Sequence, residues 1–307
     1  MRVRNWWGLF GRFRSGPVVP GGIHFGVRRR RRTRLLVTCL VPLAILGTAR
    51  CGTSQQPQQH GNRGSDQSEQ GLWHGGSVPH LRADVIHVLP HDPSLFTQGL
   101  ETNSGTLYES TGKHGESVLR AVDLTNGTEL ERVELPSRFF GEGITVVGDR
   151  IWQLSWKSGT AFLRDRTTLR EKRRADYDGE GWGLCSSDGR LVMSDGSEEL
   201  TFRDPDTFAE RGGVTVRLDG EPVEEINELE CVDGSVWANV WQTDRIVRID
   251  PTSGRVTAVV NASGLLDESA ESGAGVLNGI AATDAGGEFL LTGKYWPKMF
   301  RVRFVPE

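Results

Sequence analysis

The chain has 307 residues, enough to bury a large core in one or two domains. Only 36% of them are hydrophobic while 39 are glycine, a balance that favours short strands joined by glycine turns over long helices. Residues 1–50 hold eleven arginines and no acid, so with a net charge of −4 overall, residues 51–307 carry −15; an acidic body of that kind argues against nucleic acid as a partner.

At the N-terminus a basic run, Arg28–Arg32 with Arg34, leads into LLVTCLVPLAIL at residues 35–46. This apolar stretch is too short to cross about 30 Å of hydrocarbon comfortably, and Pro42 interrupts it. Gly47 and Ala49 supply the small residues of a cleavage site. Residues 1–50 therefore read as an export signal behind an arginine-rich leader, not as a membrane anchor, and the mature protein is expected outside the cell or in its envelope. Cys51 stands where a lipid could be attached, with Arg50 a poor neighbour for that reaction, and Cys39 would leave with the signal. Residues 51–83 are rich in Gln, Gly and Ser and read as a disordered tether. The folded domain is expected over residues 84–307.

Within that domain one motif recurs: Gln98-Gly-Leu-Glu101, Glu142-Gly-Ile-Thr145, Trp182-Gly-Leu-Cys185, Asn227-Glu-Leu-Glu230 and Asn278-Gly-Ile-Ala281. The first positions are 44, 40, 45 and 51 residues apart, the period of propeller blades or solenoid units. Each copy opens a hairpin, with turns such as Ser104-Gly105, Asp188-Gly189 and Asp233-Gly234. A third strand follows each time (117–123, 160–166, 199–205, 245–251 and 299–304), and four of the five lead into an Asp-initiated turn and a fourth strand. The fifth has no chain left for one. Its partner is found at the other end: Asp84–Leu89 precedes a Leu-Pro that matches the one ending a fourth strand at Leu135-Pro136. Pairing Asp84–Leu89 with Met299–Phe304 would close a ring and remove two open edges. The expected fold is all-β, a five-bladed β-propeller whose last blade is completed by the N-terminal strand of the domain. A parallel β-helix needs no such closure, a β-sandwich predicts no five equivalent hairpins, and helical repeats fail on the two-residue apolar spacing.

In a propeller the first strand of each blade lines the central channel. Gln98, Glu142, Trp182, Asn227 and Asn278 would then ring one mouth, and each hairpin would return Trp156, Ser194-Asp195, Trp241 and Lys294 to the same rim. A concave site with aromatic walls and a few converging polar groups is the usual form of a small-ligand pocket. Ordinary packing between blades is the plainer reading for any one of these residues.

The stretches FTQGL (96–100), FGEGIT (140–145), LSWK (154–157), GEGWGL (179–184), MSDGS (193–197), INELE (226–230), VWQTDRIVRIDPTSG (240–254), LNGIA (277–281) and TGKYWP (292–297) resemble the plant- and bacterial-type, papaya-like glutaminyl cyclases (glutaminyl-peptide cyclotransferases), which are five-bladed propellers. The resemblance runs from about Asp84 to Phe304. It implies cyclisation of an N-terminal glutaminyl residue to pyroglutamyl with release of ammonia. On the matching positions it implies Glu142 as the acid/base, with Lys294 and Asn227 at the substrate amide. It implies Gln98 holding the polar head and Phe96, Phe140, Trp156, Trp182 and Trp241 as walls. It implies no cofactor and no metal. All seven histidines fall within the first 114 residues, and His87 and His91 are expected at the surface. The partner expected is a peptide or protein with N-terminal Gln, met by a monomer, with the membrane touched only through the signal or a lipid on Cys51.

Two other functions compete. A non-catalytic envelope propeller could bind peptides or glycans at the aromatic mouth, and it would have no need of an acid at position 142. A calcium-dependent propeller hydrolase would require several carboxylates among the five first positions, where only one occurs. Cys185 and Cys231 fall on first strands of adjacent units, where they either meet as a disulfide or remain two buried thiols. The segment 261–276, in the longest spacing, is small and acidic and reads as a mobile loop beside the pocket.

Overall fold

The structure, a computed structural model, describes Trp73 and residues 77–267 and 272–307. The export signal, Cys51, most of the tether and the centre of the 261–276 segment lie outside the described residues.

Strand β1 (His80–Pro90) comes first. Three meanders follow: β2 (Thr97–Asn103), β3 (Thr106–Thr111), β4 (Val118–Asp123) and β5 (Glu129–Glu134); β6 (Gly141–Val147), β7 (Arg150–Ser155), β8 (Thr160–Asp165) and β9 (Glu171–Asp176); β10 (Leu184–Ser187), β11 (Arg190–Ser194), β12 (Glu199–Arg203) and β13 (Glu210–Thr215). A two-stranded hairpin, β14 (Arg217–Leu218) with β15 (Glu221–Pro222), precedes β16 (Ile226–Val232), β17 (Ser235–Val240), β18 (Arg245–Ile249) and β19 (Val256–Asn261). The chain ends with β20 (Leu277–Ala282), β21 (Glu288–Gly293) and β22 (Lys298–Pro306).

Local chemistry explains the meanders. Ser104-Gly105, Asp188-Gly189 and Asp233-Gly234 all have positive φ at both residues, the backbone of a tight two-residue hairpin that Asp, Ser and Gly tolerate. After the third strands, the carboxylates of Asp123, Asp165, Asp204 and Asp250 each accept a hydrogen bond from the backbone N–H two residues on, which turns the chain.

The three meanders form three four-stranded antiparallel sheets, and the remaining large strands form one eight-stranded sheet in the order β16-β17-β18-β19-β1-β22-β21-β20. Within it β1 runs antiparallel to β22 with Asp84 opposite Arg303 and Leu89 opposite Met299, the closure expected from the Leu-Pro match. It also meets β19 in parallel over His80–Arg82. The first strands pack side by side in a closed circuit: β2 against β6, β6 against β10, β10 against β16, β16 against β20, and β20 against β2. Apolar cores lie between neighbouring sheets, for example Trp152, Leu154, Tyr177, Leu184, Leu191 and Phe208 between the second and third.

The sequence boundary at Asp84 falls late. The strand begins at His80, and Trp73 is buried against Val216, Leu218 and Val223 around the small hairpin. Ser77 donates from both N–H and hydroxyl to the Asp219 carboxylate at the hairpin tip. Spare composition made this stretch read as tether, whereas one tryptophan and one turn aspartate anchor it. Cys185 and Cys231 are disulfide-bonded, joining β10 to β16.

His87 is exposed as expected, but His91 is buried. Its Nε2 lies 2.9 Å from Glu109 Oε1 and its Nδ1 2.6 Å from the Trp296 carbonyl. Carboxylate and carbonyl both only accept, so the ring donates from both nitrogens and is charged. Arg120 donates twice to the other Glu109 oxygen, and Thr97 Oγ1 donates to Oε1. Burial opposes the charge on His91, but the Glu109 carboxylate outweighs it and raises the histidine above its ordinary 6.5. Burial likewise opposes ionisation of Glu109, yet His91, Arg120 and Thr97 pull its pKa down to about 2. Together with the backbone bond from His91 N–H to Pro297 O, this cluster fastens the start of the first meander to the end of the last.

Glu109→Gln is expected to cost about 3–5 kcal/mol in urea denaturation, since it leaves two buried cations short of their partner. The folded pKa of Glu109 is depressed, so its contribution is complete above 4.5 and fades as pH falls towards 2. That of His91 is complete below 6.5 and fades as pH rises through its raised folded value. The closure is therefore strongest between about pH 5 and 6.5 in parent protein, and a urea series across pH should lose that maximum in the variant. For the disulfide, alkylation without reductant should leave Cys185 and Cys231 unmodified in the mass spectrum. Replacing both by Ser should cost about 4 kcal/mol, the closure entropy of a 46-residue loop.

Candidate active site

The repeated motif builds one mouth of the ring. In β2, β6, β16 and β20 the pairing register slips at the motif: between Thr97 and Gly99, Gly141 and Ile144, Ile226 and Leu229, and Leu277 and Ile280. An irregularity of this kind re-aims side chains out of the strand's alternation, and Gln98, Glu142, Asn227 and Asn278 stand at the slips. In the third sheet β10 begins only at Leu184, directly after Trp182-Gly183.

The glycine that follows the polar residue has a steric reason. A Cβ at Gly99 would come within 2.8 Å of Ile144 N, at Gly143 within 2.6 Å of Trp182 O, and at Gly183 within 2.1 Å of Asn227 O. The first three of these strands thus lie against the next with no room for a side chain, while at Gly279 the nearest atom is the Thr292 methyl at 3.1 Å and a φ of +128° is what calls for glycine. In the fourth copy Glu228 takes the glycine's place, and its two carboxylate oxygens accept hydrogen bonds from Leu100 N–H at 3.0 Å and Ile280 N–H at 2.9 Å. It ties three first strands together.

Above this ring is a cavity of about 300 Å³ lined by Phe96, Gln98, Lys113, Phe140, Glu142, Trp156, Trp182, Asn227, Trp241 and Lys294. Glu142, Lys294, Asn227, Gln98, Phe96, Phe140, Trp156, Trp182 and Trp241 all meet there, whereas three others expected at the rim do not. Gln98 Nε2 donates to Glu142 Oε1 at 2.6 Å, and Asn278 Nδ2 reaches Thr97 O at 3.0 Å and Gln98 Oε1 at 3.3 Å. Asn278 therefore orients Gln98 from behind and does not line the cavity. Ser194 and Asp195 do not line it either. The Ser194 hydroxyl links Gly183 N–H to Asn227 O, and Asp195 turns outward to Ser197.

Two buried polar atoms in the cavity have no hydrogen-bond partner among the described residues, Glu142 Oε2 and Asn227 Oδ1. Such atoms are costly to bury, and here both belong to the cavity lining. Burial pushes the Glu142 carboxyl well above the usual carboxylate range, with the Lys294 ammonium and the Gln98 hydrogen bond working against it. Burial brings Lys294 down to about 8 against the attraction of Glu142, and repulsion from Lys113 adds to the fall. The walls are aromatic: Phe96 meets Phe140 edge-on at 6.0 Å, Phe140 leans on Trp156 at 5.4 Å, and Trp182 meets Trp241 at 5.5 Å.

The chain matches a protein family described as glutamine cyclotransferase over residues 59–304. The chain belongs to the glutamine cyclotransferase family. It is 39% identical over 225 residues to an Arabidopsis thaliana protein named glutaminyl-peptide cyclotransferase, a match covering 72% of this chain and 70% of that one. Its structure is similar to the crystal structure of Myxococcus xanthus glutaminyl cyclase, with a TM-score of 0.70 and 39% identity over 75% of this chain and all of the other.

Three neighbours of the pocket were not evident from sequence. Glu180 accepts from the indole N–H of Trp156 at 2.7 Å and of Trp182 at 3.1 Å, and pairs with Lys157 at 3.2 Å, so one carboxylate sets the tilt of two walls. Tyr295 stands edge-on to Phe96 at 5.2 Å. Lys113 lies one residue past Gly112, whose N–H donates to Phe96 O as those of Trp156, Trp241 and Lys294 donate to Phe140 O, Glu225 O and Val276 O, so counting along the hairpin gives the glycine and not the lysine. The 261–276 segment reaches the site through its end, as Gly275 N–H donates to Lys294 O and Lys294 N–H to Val276 O.

The tight first strands are open to a direct test. Gly183→Ala should push β10 away from Asn227, lowering stability by about 1–3 kcal/mol as overpacked cores do. Thermal denaturation followed by tryptophan fluorescence reports both the loss and the disturbed Trp182 wall. An unchanged melting profile would mean that the strands yield.

Proposed function

We propose that this chain is a glutaminyl-peptide cyclotransferase, converting an N-terminal glutaminyl residue of a peptide or protein to pyroglutamyl with release of ammonia. The observation that carries the reading is Glu142. It is a buried carboxyl whose Oε2 has no partner among the described residues, set in an aromatic cavity between Gln98 and Lys294, in a chain of the glutamine cyclotransferase family.

The reaction is intramolecular, so the protein has to hold the folded-back substrate and move a proton. The α-amine attacks the γ-amide carbon and a C–N bond forms. The amine nitrogen loses one proton, the departing amide nitrogen gains one, and the old C–N bond breaks to give ammonia. Glu142 Oε2 takes the first proton and returns it to the second nitrogen. A carboxyl raised above the usual carboxylate range suits this shuttle because its carboxylate is a stronger base than an ordinary one. A substrate that enters as the ammonium carries one proton more, which leaves with the departing nitrogen as ammonium. Lys294 and Asn227 face the attacked carbonyl, where the Lys294 charge stabilises the developing oxyanion. Gln98, oriented by Asn278, holds the amine end, and the five aromatic walls pack the methylenes and exclude water. A non-catalytic binder has no use for an unpartnered acid here.

The architecture we infer is a five-bladed β-propeller. The closed circuit of five first strands and the seating of β1 beside β22 support it. The eight-stranded sheet is then two blades bridged by the short parallel contact of β1 with β19. The protein acts as an exported enzyme, as a monomer, with membrane contact only through the signal or a lipid on Cys51. A disulfide between first strands suits an oxidising compartment.

Glu142→Gln keeps the shape and the hydrogen bond to Gln98 and removes the base. Ammonia release from a Gln-initiated peptide should fall about 10²- to 10⁴-fold, while calorimetric binding of the same peptide and the melting temperature change little. Release within about threefold of the parent, far inside the loss expected of a missing acid–base group, would remove Glu142 from the mechanism.

A further inference from the structure

The cavity holds a second cation that the chemistry above does not use. Lys113 lies at the pocket with its ammonium 4.1 Å from the centre of the Phe96 ring, whose environment also holds Lys294 at 4.8 Å. Lys294 is countered by Glu142. Lys113 has no carboxylate within ion-pair distance among the described residues. Glu180, behind the walls, is committed to two indoles and Lys157. Two like charges flanking one small cavity cost energy unless something negative enters.

The placement of Lys113 is built. Its φ is +93°, a backbone that non-glycine residues rarely adopt, and it is held there by Ser117 Oγ and Glu116 N–H, both donating to the Lys113 carbonyl at 2.6 and 3.1 Å. Ser117 Oγ in turn accepts from Gly141 N–H on the neighbouring sheet at 3.0 Å, beside Glu142. A Cβ at Gly112 would fall 2.2 Å from the Phe140 ring, so the loop lies flat on a wall residue. Strained backbone over-determined in this way clusters at ligand sites. Lys113 itself is half-buried, with the exposed His114 and Gly115 beyond it.

We infer that Lys113 is a specificity residue that selects substrates bearing a carboxylate one residue beyond the glutamine. This rests on the cyclotransferase reading. With the glutaminyl amine and amide at Glu142 and Lys294, the chain must leave past the open rim, and one further residue advances about 3.3 Å. A carboxylate there meets the Lys113 ammonium. It can be the side chain of Asp or Glu at the second position, or the terminal carboxylate of a Gln-X dipeptide.

Two substrate pairs separate these sources: Gln-Glu-Ala-amide against Gln-Gln-Ala-amide, and free Gln-Ala against Gln-Ala-amide. For each pair the readout is the ratio of kcat/KM, anionic over neutral, in parent, Lys113→Met, Lys113→Arg and Lys113→Glu. A half-exposed charge-assisted contact predicts a parent ratio of about 5–10 in at least one pair, carried mainly by KM and compressed at about 0.5 M salt. The ratio should persist in Arg, fall to about 1 in Met and invert in Glu. A preference confined to the first pair assigns the side chain, and one confined to the second assigns the terminal carboxylate. Parent ratios near or below 1 in both pairs, or ratios unmoved in Lys113→Met, would overturn the inference. If none of the four peptides releases ammonia, the cyclotransferase reading fails separately. Calorimetric binding of the same pairs to parent and Lys113→Met then decides the lysine, by the same ratios.

Discussion

The close approach of the first strands around the channel governs everything else. Where a Cβ would stand 2.1–2.8 Å from the neighbouring backbone, only glycine fits, and that glycine sets each strand in one register against the next. The polar residue before it is thereby delivered to the rim. Glu228 shows the other solution to the same constraint: a carboxylate spans the centre and accepts from two backbone N–H groups that have no strand partner on that side. Burial raises its pKa well above the ordinary range, so the ring is held by a buried acid whose hydrogen bonds matter more than its charge.

The ring also has to be shut. Hydrogen bonding between β1 and β22 supplies the edge pairing, while the His91–Glu109–Arg120 cluster supplies a polar anchor at the junction. These two devices differ in kind. A strand pairing accepts many sequences, but a buried acid facing two cations requires each partner, because any one left alone would be an uncompensated buried charge.

At the mouth the balance is reversed, and stability is given up for reactivity. The same burial that pulls Lys294 down to about 8 and raises Glu142 works against folding, and unpartnered Glu142 Oε2 and Asn227 Oδ1 add to that cost. Rigid walls make the cost tolerable. Phe96 meets Phe140 and Trp182 meets Trp241 edge to face, Phe140 leans on Trp156, and Glu180 ties Trp156 to Trp182.

The sequence by itself determined the five hairpins, the closing strand and the approach of Gln98, Glu142, Trp156, Trp182, Asn227, Trp241 and Lys294 to one mouth, because period, turn chemistry and strand alternation are local signals that repeat; Phe96 and Phe140 came only with the family resemblance. It determined Glu142 as the one acid among the five first positions. Tertiary structure alone decided the rest. Whether Cys185 met Cys231, and whether Asn278 faced the cavity or stood behind Gln98, depended on register slips that alternation does not predict. His91 read as a surface residue because its partners, Glu109 and the Trp296 carbonyl, are brought to it from two other places in the chain. Trp73 and Ser77 read as tether because their anchor is a small hairpin some 140 residues away. A contact whose two halves are distant in sequence leaves no local pattern, and packing decides it.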